Sequence, residues 1–269
     1  MPREVLTHER PAALAHRGSR ELWPENTMVA FQGAVDLGYR FLETDLHATS
    51  DGKVVLFHDD TLNRTTDRTG KISGRTWNDL RECDAAYRFD PIHHFPHRGR
   101  GVGIPSLEEL ATTFPNTLLT LDLKQSGMEQ LLVDAVHHLN LWDRVIVGSF
   151  SDARIRRFRK LTGGRVATSS GPRETLAAMS SARLGRPLKM RADALQIPEA
   201  YGRTKVLTPR LIEAAHASGK QVHVWTINER ADMIRLLDMG VDGLITDRPD
   251  TLKDLMIERG SGGPEEWHE

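Results

Sequence analysis

Short apolar, β-branched runs alternate along this chain with longer stretches in which apolar residues recur at helical spacing. The runs predict strands at about 12–16, 41–46, 118–123, 144–149, 165–169, 193–197, 220–225 and 242–246. The stretches between them predict helices at about 26–37, 107–114, 127–140, 151–161, 173–184, 208–218, 229–239 and 250–258. Local signals support the helix ends. Ser151-Asp152 and Asn228-Glu229 are of N-cap type, and Asn26 or Thr27 suits the cap of the first helix. Gly163-Gly164, Gly219 and Gly240 fall where a helix ends in a positive φ, and Pro249 suits a first helical turn. Eight strands alternating with helices fit an α/β fold of the (β/α)8 TIM-barrel type. An open doubly wound sheet is the alternative.

Two segments break the alternation. The run Lys53–Phe57 follows the second strand after only the Ser50-Asp51-Gly52-Lys53 turn. So short a link cannot make a parallel crossover, which needs a dozen or more residues, so Leu46–Phe57 is expected to be a hairpin. That hairpin folds His58 back beside Glu43 and Asp45. Thr61–Pro105, rich in Arg, His, Gly and Asp, reads as a small insertion between strand two and helix two. Insertions in βα loops lie on the catalytic face of a barrel, so this one is expected to roof the pocket. Its His93, His94 and His97 read as incidental rather than as a transition-metal site. The organisation expected is one barrel domain over 1–258, with the insertion at about 61–105 and a polar, Gly-rich tail at 259–269 that is disordered.

Composition narrows the function classes. The 269 residues are 39% hydrophobic, enough for a sizeable core, and carry a formal charge of −1 with acids and bases interspersed. That distribution is neither a nucleic-acid footprint nor a polybasic membrane patch. Cys83 is the single cysteine, so no internal disulfide forms, which fits a reducing compartment. The start, Met1–Arg10, is polar and charged without an apolar signal segment, and no apolar run approaches the ~20 residues of a membrane span, so a cytoplasmic location is expected. Nothing in the pattern fixes an oligomeric state.

The chemistry-bearing residues gather at predicted strand ends. Glu43 and Asp45 are two apart on a strand and so share a face. In a barrel they point into its mouth, where two carboxylates repel unless a cation lies between them, and hard cations such as Ca²⁺ or Mg²⁺ take such oxygens. The plainer account is a solvated strand end with two surface acids. Asp122, at the charged end of Leu118–Lys124, supplies a third carboxylate suited to the same ion, against the plainer account of a strand-end salt bridge. Lys124, on the same face, suits a phosphate oxygen or the orientation of Asp122. His16 and His58 converge on this acidic cluster and suit proton transfer near neutral pH, with metal ligation or a structural hydrogen bond as alternatives. Arg17 offers a fork of donors matched to phosphate. Gln196 suits a hydroxyl and Trp225 the wall beside an organic group, with a choline headgroup favoured by cation–π attraction. Glu25 and Asn26 sit where they meet the pocket, whereas Asp247 reads as a cap of the last helix or a partner of Arg248. Nucleophile elbow, Walker loop and dinucleotide fingerprint are all missing from the sequence.

Taken together, His16-Arg17-Gly18, Pro24-Glu25-Asn26-Thr27, Glu43-Thr44-Asp45, Asp51-Gly52, Phe57-His58-Asp59, Trp225–Asn228 and Gly240–Pro249 resemble the glycerophosphodiester phosphodiesterases over nearly the whole chain. The resemblance implies a barrel that hydrolyses glycerophosphodiesters, a small-molecule substrate class, to an alcohol and glycerol 3-phosphate. It implies Glu43, Asp45 and Asp122 as ligands of one divalent cation, Ca²⁺ or Mg²⁺. It implies His16 and His58 as general base and acid, and Arg17 and Lys124 as phosphate contacts. One departure stands out: the third ligand of that family is often Glu in a Glu-x-Lys pattern, and here it is Asp122. The alternative within enzymes is a lyase-type phospholipase D that leaves a cyclic phosphate from a lysophospholipid or sphingolipid. The alternative outside enzymes is a barrel that binds a phosphodiester without cleaving it. A polar insertion favours soluble, deacylated substrates, and a full set of histidines and carboxylates favours catalysis.

Overall fold

The computed structural model describes residues 4–7 and 11–260. Its strands are β1 (Ala12–His16), β2 (Phe41–Ala48), β3 (Val54–Leu56), β4 (Leu118–Leu123), β5 (Val145–Gly148), β6 (Ala167–Thr168), β7 (Ala194–Pro198), β8 (Ala200–Tyr201), β9 (Thr204–Lys205), β10 (Gln221–Trp225) and β11 (Gly243–Thr246). Its α-helices are α1 (Met28–Asp36), α2 (Trp77–Arg81), α3 (Leu107–Thr113), α4 (Glu129–His138), α5 (Asp152–Leu161), α6 (Pro172–Arg183), α7 (Pro209–Ala217), α8 (Arg230–Asp238) and α9 (Pro249–Glu258). Eight parallel strands run in the order β6-β5-β4-β2-β1-β11-β10-β7. A single parallel bridge, Ser169 to Ala194, joins the two ends into a nearly closed barrel. At this closure β6 spans two residues where five were expected, and the Asp193 carboxylate accepts from the Thr168 amide at 3.0 Å.

Side-chain parity builds the site. Ala12 and Leu14 of β1, Phe41 of β2, Leu118 of β4, Ile146 of β5 and Ile245 of β11 fill the barrel floor together with Val5. Their neighbours Ala13, Ala15, Leu42, Leu119, Leu121, Val147 and Leu244 face outward into the larger core under the helices. Because side chains alternate with period two, the inward series continues from the floor to His16, to Glu43 and Asp45, to Thr120 and Asp122, and to Asp247. Register sets these on two successive levels: His16 pairs with Glu43 and Glu43 with Thr120, while Asp45 pairs with Asp122. β2 is buried at every position, as expected for a strand covered on both faces.

The expected hairpin is present as an extension of β2 itself, with Leu46 opposite Leu56 and Ala48 opposite Val54. The insertion forms a small core of its own from Leu62, Ile72, Leu80, Cys83 and Ile104 against Val55 and Phe57 of the hairpin. It therefore packs beside the hairpin rather than over the barrel mouth. Thr27 is the cap of α1, accepting from the Ala30 amide, and Ser151 caps α5 in the same way. Asn228 is not a cap: Glu229 occupies that position in α8 without a side-chain bond. Residues 261–269 of the expected disordered tail lie outside the described residues. Among the described residues no helix is long and apolar enough to cross a membrane.

Candidate active site

The nine site residues expected from sequence, His16, Arg17, Glu43, Asp45, His58, Asp122, Lys124, Gln196 and Trp225, all line one cavity of about 950 Å³ at the C-terminal mouth of the barrel. The turn after β1 delivers the first pair. Gly18 has φ +78, and a Cβ there would come within 2.6 Å of the Ala30 backbone, so the chain can bend against α1 only with glycine at this position. Arg17 and Asn26 also take the left-handed region, at φ 54 and 55. Asn26 spends its amide on β2: Nδ2 donates to Asp45 at 3.0 Å and Oδ1 accepts from Thr44 at 2.7 Å.

Asp45 is braced on both carboxylate oxygens. Lys124 Nζ lies 2.9 Å from Oδ1 and 2.6 Å from Asp122, while Arg17 Nε lies 3.0 Å from Asp45 Oδ2. Burial alone would raise the Asp45 carboxyl, but Arg17 and Lys124 hold it down at about 2. Glu43 goes the other way. Burial and then the neighbouring Asp45 charge push it up to about 7, against the pull of His16, Arg17 and Lys124. Asp122 is likewise raised by burial, with Asp45 adding to the shift and Lys124 opposing it. Its Oδ1 is buried without a hydrogen-bond partner. Among the described residues no three His, Cys, Asp or Glu side chains are already gathered as a metal cage. Lys124 stands between two of the acids instead.

Both histidines are held from behind. His16 Nδ1 is 2.7 Å from Asp247 Oδ1, and Asp247 in turn takes the Asn228 side-chain amide at 3.2 Å. Burial lowers the His16 pKa, but Glu43 and the Asp247 hydrogen bond outweigh it and the net shift is upward. His58 Nδ1 is 2.6 Å from Asp59, and Arg64 bridges Asp59 at 2.7 Å and both oxygens of Glu25 at 2.7 Å. Glu25 accepts from Arg17 at 2.9 Å. With each Nδ1 engaged by a carboxylate, each Nε2 is the nitrogen left for a substrate.

A family profile described as "Glycerophosphoryl diester phosphodiesterase family" matches residues 16–251. The chain belongs to this family. Among its relatives is the "Probable glycerophosphodiester phosphodiesterase 2" of Mycobacterium tuberculosis, 38% identical over 96% of this chain and 95% of that protein. The "Glycerophosphodiester phosphodiesterase" of Caldanaerobacter subterraneus subsp. tengcongensis is 30% identical over 92% of this chain and 98% of that protein. A crystal structure of a putative glycerophosphoryl diester phosphodiesterase from Silicibacter pomeroyi superposes with a TM-score of 0.79 at 25% identity, covering 97% of this chain and 98% of that one.

In this glycerophosphoryl diester phosphodiesterase family member, three site residues escape a reading of local sequence. Asp247 neither caps α9 nor pairs with Arg248: Arg248 turns to Asp250 at 2.7 Å, and Asp247 backs His16. Asn228 supports Asp247 by accepting its amide at 2.9 Å. Arg64 is the insertion's reach toward the site, and no residue of 61–105 lines the cavity. Gln196 is turned across the barrel to Thr120 at 3.2 Å, and Trp225 meets Phe150 edge to face at 5.5 Å. His93 pairs with Asp90 on the surface, away from the cavity.

Proposed function

We propose that the protein hydrolyses glycerophosphodiesters to an alcohol and glycerol 3-phosphate, using His16 and His58 for proton transfer and one divalent cation, Ca²⁺ or Mg²⁺, held by Glu43, Asp45 and Asp122. The carrying observation is the pair of carboxylate-backed histidines lining one cavity with Arg17, Lys124 and three buried acids. Family membership and the two named relatives support the same reaction.

In hydrolysis the water oxygen bonds to phosphorus, the bond from phosphorus to the alcohol oxygen breaks, and the departing alcohol takes up a proton. That requires a group to receive a proton and a second to give one. His16 and His58 supply them, each aligned by its own carboxylate and each presenting Nε2. Arg17 and Lys124 place positive charge where the phosphate's negative oxygens lie. Gln196 and Trp225 bound the organic part of the substrate.

The residues fit a hard cation on two counts. Asp122 Oδ1 is a buried acceptor without a donor, and Glu43 is pushed up to about 7 by burial and by Asp45, a charge excess that a cation relieves. When bound, such a cation neutralises charge developing on the phosphate. Asp at the third ligand position is one methylene shorter than Glu, and the carboxylate sits beside Lys124, so this member's ion selectivity is set partly by Asp122.

The test is a panel of glycerophosphodiesters coupled to detection of glycerol 3-phosphate, after EDTA treatment and then with Ca²⁺ or Mg²⁺ restored. The expected result is turnover with the cation and loss of at least tenfold without it. Full activity in chelator rejects the cation, and a complete panel without product rejects the reaction. Replacement of either histidine by alanine is expected to cut kcat by roughly 10²–10⁴.

A further inference from the structure

Arg64 lines none of the cavity, yet two arms of the site meet on it. Its guanidinium forks onto two carboxylates at once. Nε lies 2.7 Å and Nη2 3.3 Å from Asp59, and Nη1 and Nη2 each lie 2.7 Å from Glu25. Asp59 holds His58 Nδ1 at 2.6 Å, and Glu25 accepts from Arg17 Nη1 at 2.9 Å. Arg17 Nε in turn lies 3.0 Å from Asp45. One run of contacts therefore leads from His58 through Asp59, Arg64, Glu25 and Arg17 to Asp45. Its two ends come from separate pieces of chain, the turn after β1 and the segment that follows β3, and Arg64 bridges their supporting carboxylates. The insertion fixes where Arg64 stands. Leu62 and Thr66 on either side are fully buried, the Leu62 amide donates to the Gly70 carbonyl at 3.0 Å, and the Thr66 hydroxyl donates to the Leu62 carbonyl at 2.8 Å.

In an ordinary surface ion pair an arginine contributes little. The Arg64 side chain is 44% exposed, but that of Glu25 is 11% and that of Arg17 9%, so the far end of the contact is sheltered from solvent. A planar fork with two contacts to each acid is a geometry lysine cannot copy. Charge gives the fork a purpose. Arg17 faces two carboxylates, Glu25 and Asp45, which together would neutralise it. Arg64 compensates Glu25, and the charge of Arg17 is left for a phosphate oxygen. Without Arg64 the two acids it bridges would repel each other, turning Asp59 away from His58 and Glu25 more fully onto Arg17. We propose that Arg64 is a positioning residue of the reaction: through Asp59 it aligns His58, and through Glu25 it leaves Arg17 free to hold the phosphate. The inference rests on the roles proposed above for His58 and Arg17. It gives the insertion a part in turnover that does not require it to cover the pocket.

The experiment measures kcat and KM for glycerophosphocholine, with saturating divalent ion, in Arg64→Ala, Arg64→Lys, Asp59→Asn and the double variant Arg64→Ala/Asp59→Asn, with His58→Ala as control. Arg64→Ala is expected to lower kcat about 10- to 100-fold and to raise KM, with Arg64→Lys between it and the unaltered protein. In the Asp59→Asn background the same alanine change is expected to lower kcat by less than about threefold, because residues that act as one unit are not additive. Millimolar guanidinium ion is expected to restore part of the kcat lost in Arg64→Ala and none of that lost in Asp59→Asn. A general loss of fold would multiply through both backgrounds and would not respond to guanidinium. A kcat in Arg64→Ala within about threefold of the unaltered protein overturns the inference, as do losses that multiply in the double variant. Should Arg64→Ala not fold, Arg64→Lys carries the test, and unchanged kcat and KM there overturn the inference. If His58→Ala keeps the activity of the unaltered protein, the reading of His58 itself falls, and the alignment through Asp59 with it.

Discussion

Replacing Asp247 by Asn isolates what a carboxylate behind His16 contributes. The substitution keeps the size of the side chain and its backbone bonds, including the Ser19 hydroxyl donated to the Asp247 carbonyl at 2.6 Å. It removes the negative charge 2.7 Å from His16 Nδ1. A hydrogen bond to a charged group is worth about 1.5–3 kcal/mol, which at ~1.4 kcal/mol per decade is roughly 10- to 150-fold in kcat if the bond matters most when His16 is charged. The same change has a sign in pH. Asp247 raises the His16 pKa both by hydrogen bond and by charge, so Asn lowers it. The limb of the pH–rate profile that reports His16 therefore moves to lower pH whether His16 acts as base or acid. The assay is kcat across pH with glycerophosphocholine and saturating divalent ion, alongside circular dichroism to confirm the fold. A kcat within threefold of the unaltered protein and an unmoved limb would refute the assignment of Asp247 as the group that orients and charges His16.

Two further outcomes follow from the acids of β2. Glu43 has a folded pKa of about 7 against 4.5 for the free group, so the folded state holds its proton after the unfolded state has lost it. Its contribution to stability is fully present below pH 4.5 and is lost as pH rises through 7; in chelator, urea unfolding should show stability falling by roughly 2–3 kcal/mol between pH 5 and 7.5, with a shallower fall in Glu43→Gln, and equal slopes would count against the buried-acid reading. Asn26→Ala deletes two buried side-chain bonds, to Asp45 and Thr44, and leaves alanine at φ 55, so stability should drop by about 2–4 kcal/mol and Tm by roughly 5–10 °C, with kcat falling about tenfold as Asp45 loses its brace; a Tm within 2 °C in calorimetry would show that Asn26 is dispensable.

The inward acids were readable because parity is local. Once Phe41 is a floor residue, Glu43 and Asp45 must point up into the mouth, and once Leu118 is, Asp122 must too. The hairpin was readable for a similar reason, since a four-residue turn admits only an antiparallel return, and it carries His58 to the acids as expected. The insertion does not roof the pocket, because the rule that βα insertions sit on the catalytic face fixes which end they occupy, not what they cover. Val55 and Phe57 present an apolar face that Leu62, Ile72 and Leu80 bury, so the segment folds down beside the hairpin. The wall around the mouth is supplied instead by α6 and the β8–β9 hairpin, whose strands of two residues are too short for any periodicity to reveal.

Asp247 is the more instructive case, because nothing in Thr246-Asp247-Arg248-Pro249 distinguishes a cap from a catalytic support. The distinction comes from closure. In a barrel of eight parallel strands the last strand lies beside the first, and the register here sets Ala15 opposite Thr246. The next residue on each strand is then His16 and Asp247, one strand spacing apart and both continuing inward series, so a carboxylate there must meet the imidazole. Pro249 begins α9 two residues later, leaving Arg248 in the cap position and Asp247 free of the helix. The same closure that brings residues 231 positions apart within 2.7 Å explains why Asn228, three residues past the neighbouring β10, reaches Asp247 and is lost to α8 as a cap. Three strand ends, contiguous only in the closed ring, thus build one chain of hydrogen bonds from Asn228 through Asp247 to His16, and its existence is a consequence of the fold class rather than of any one motif.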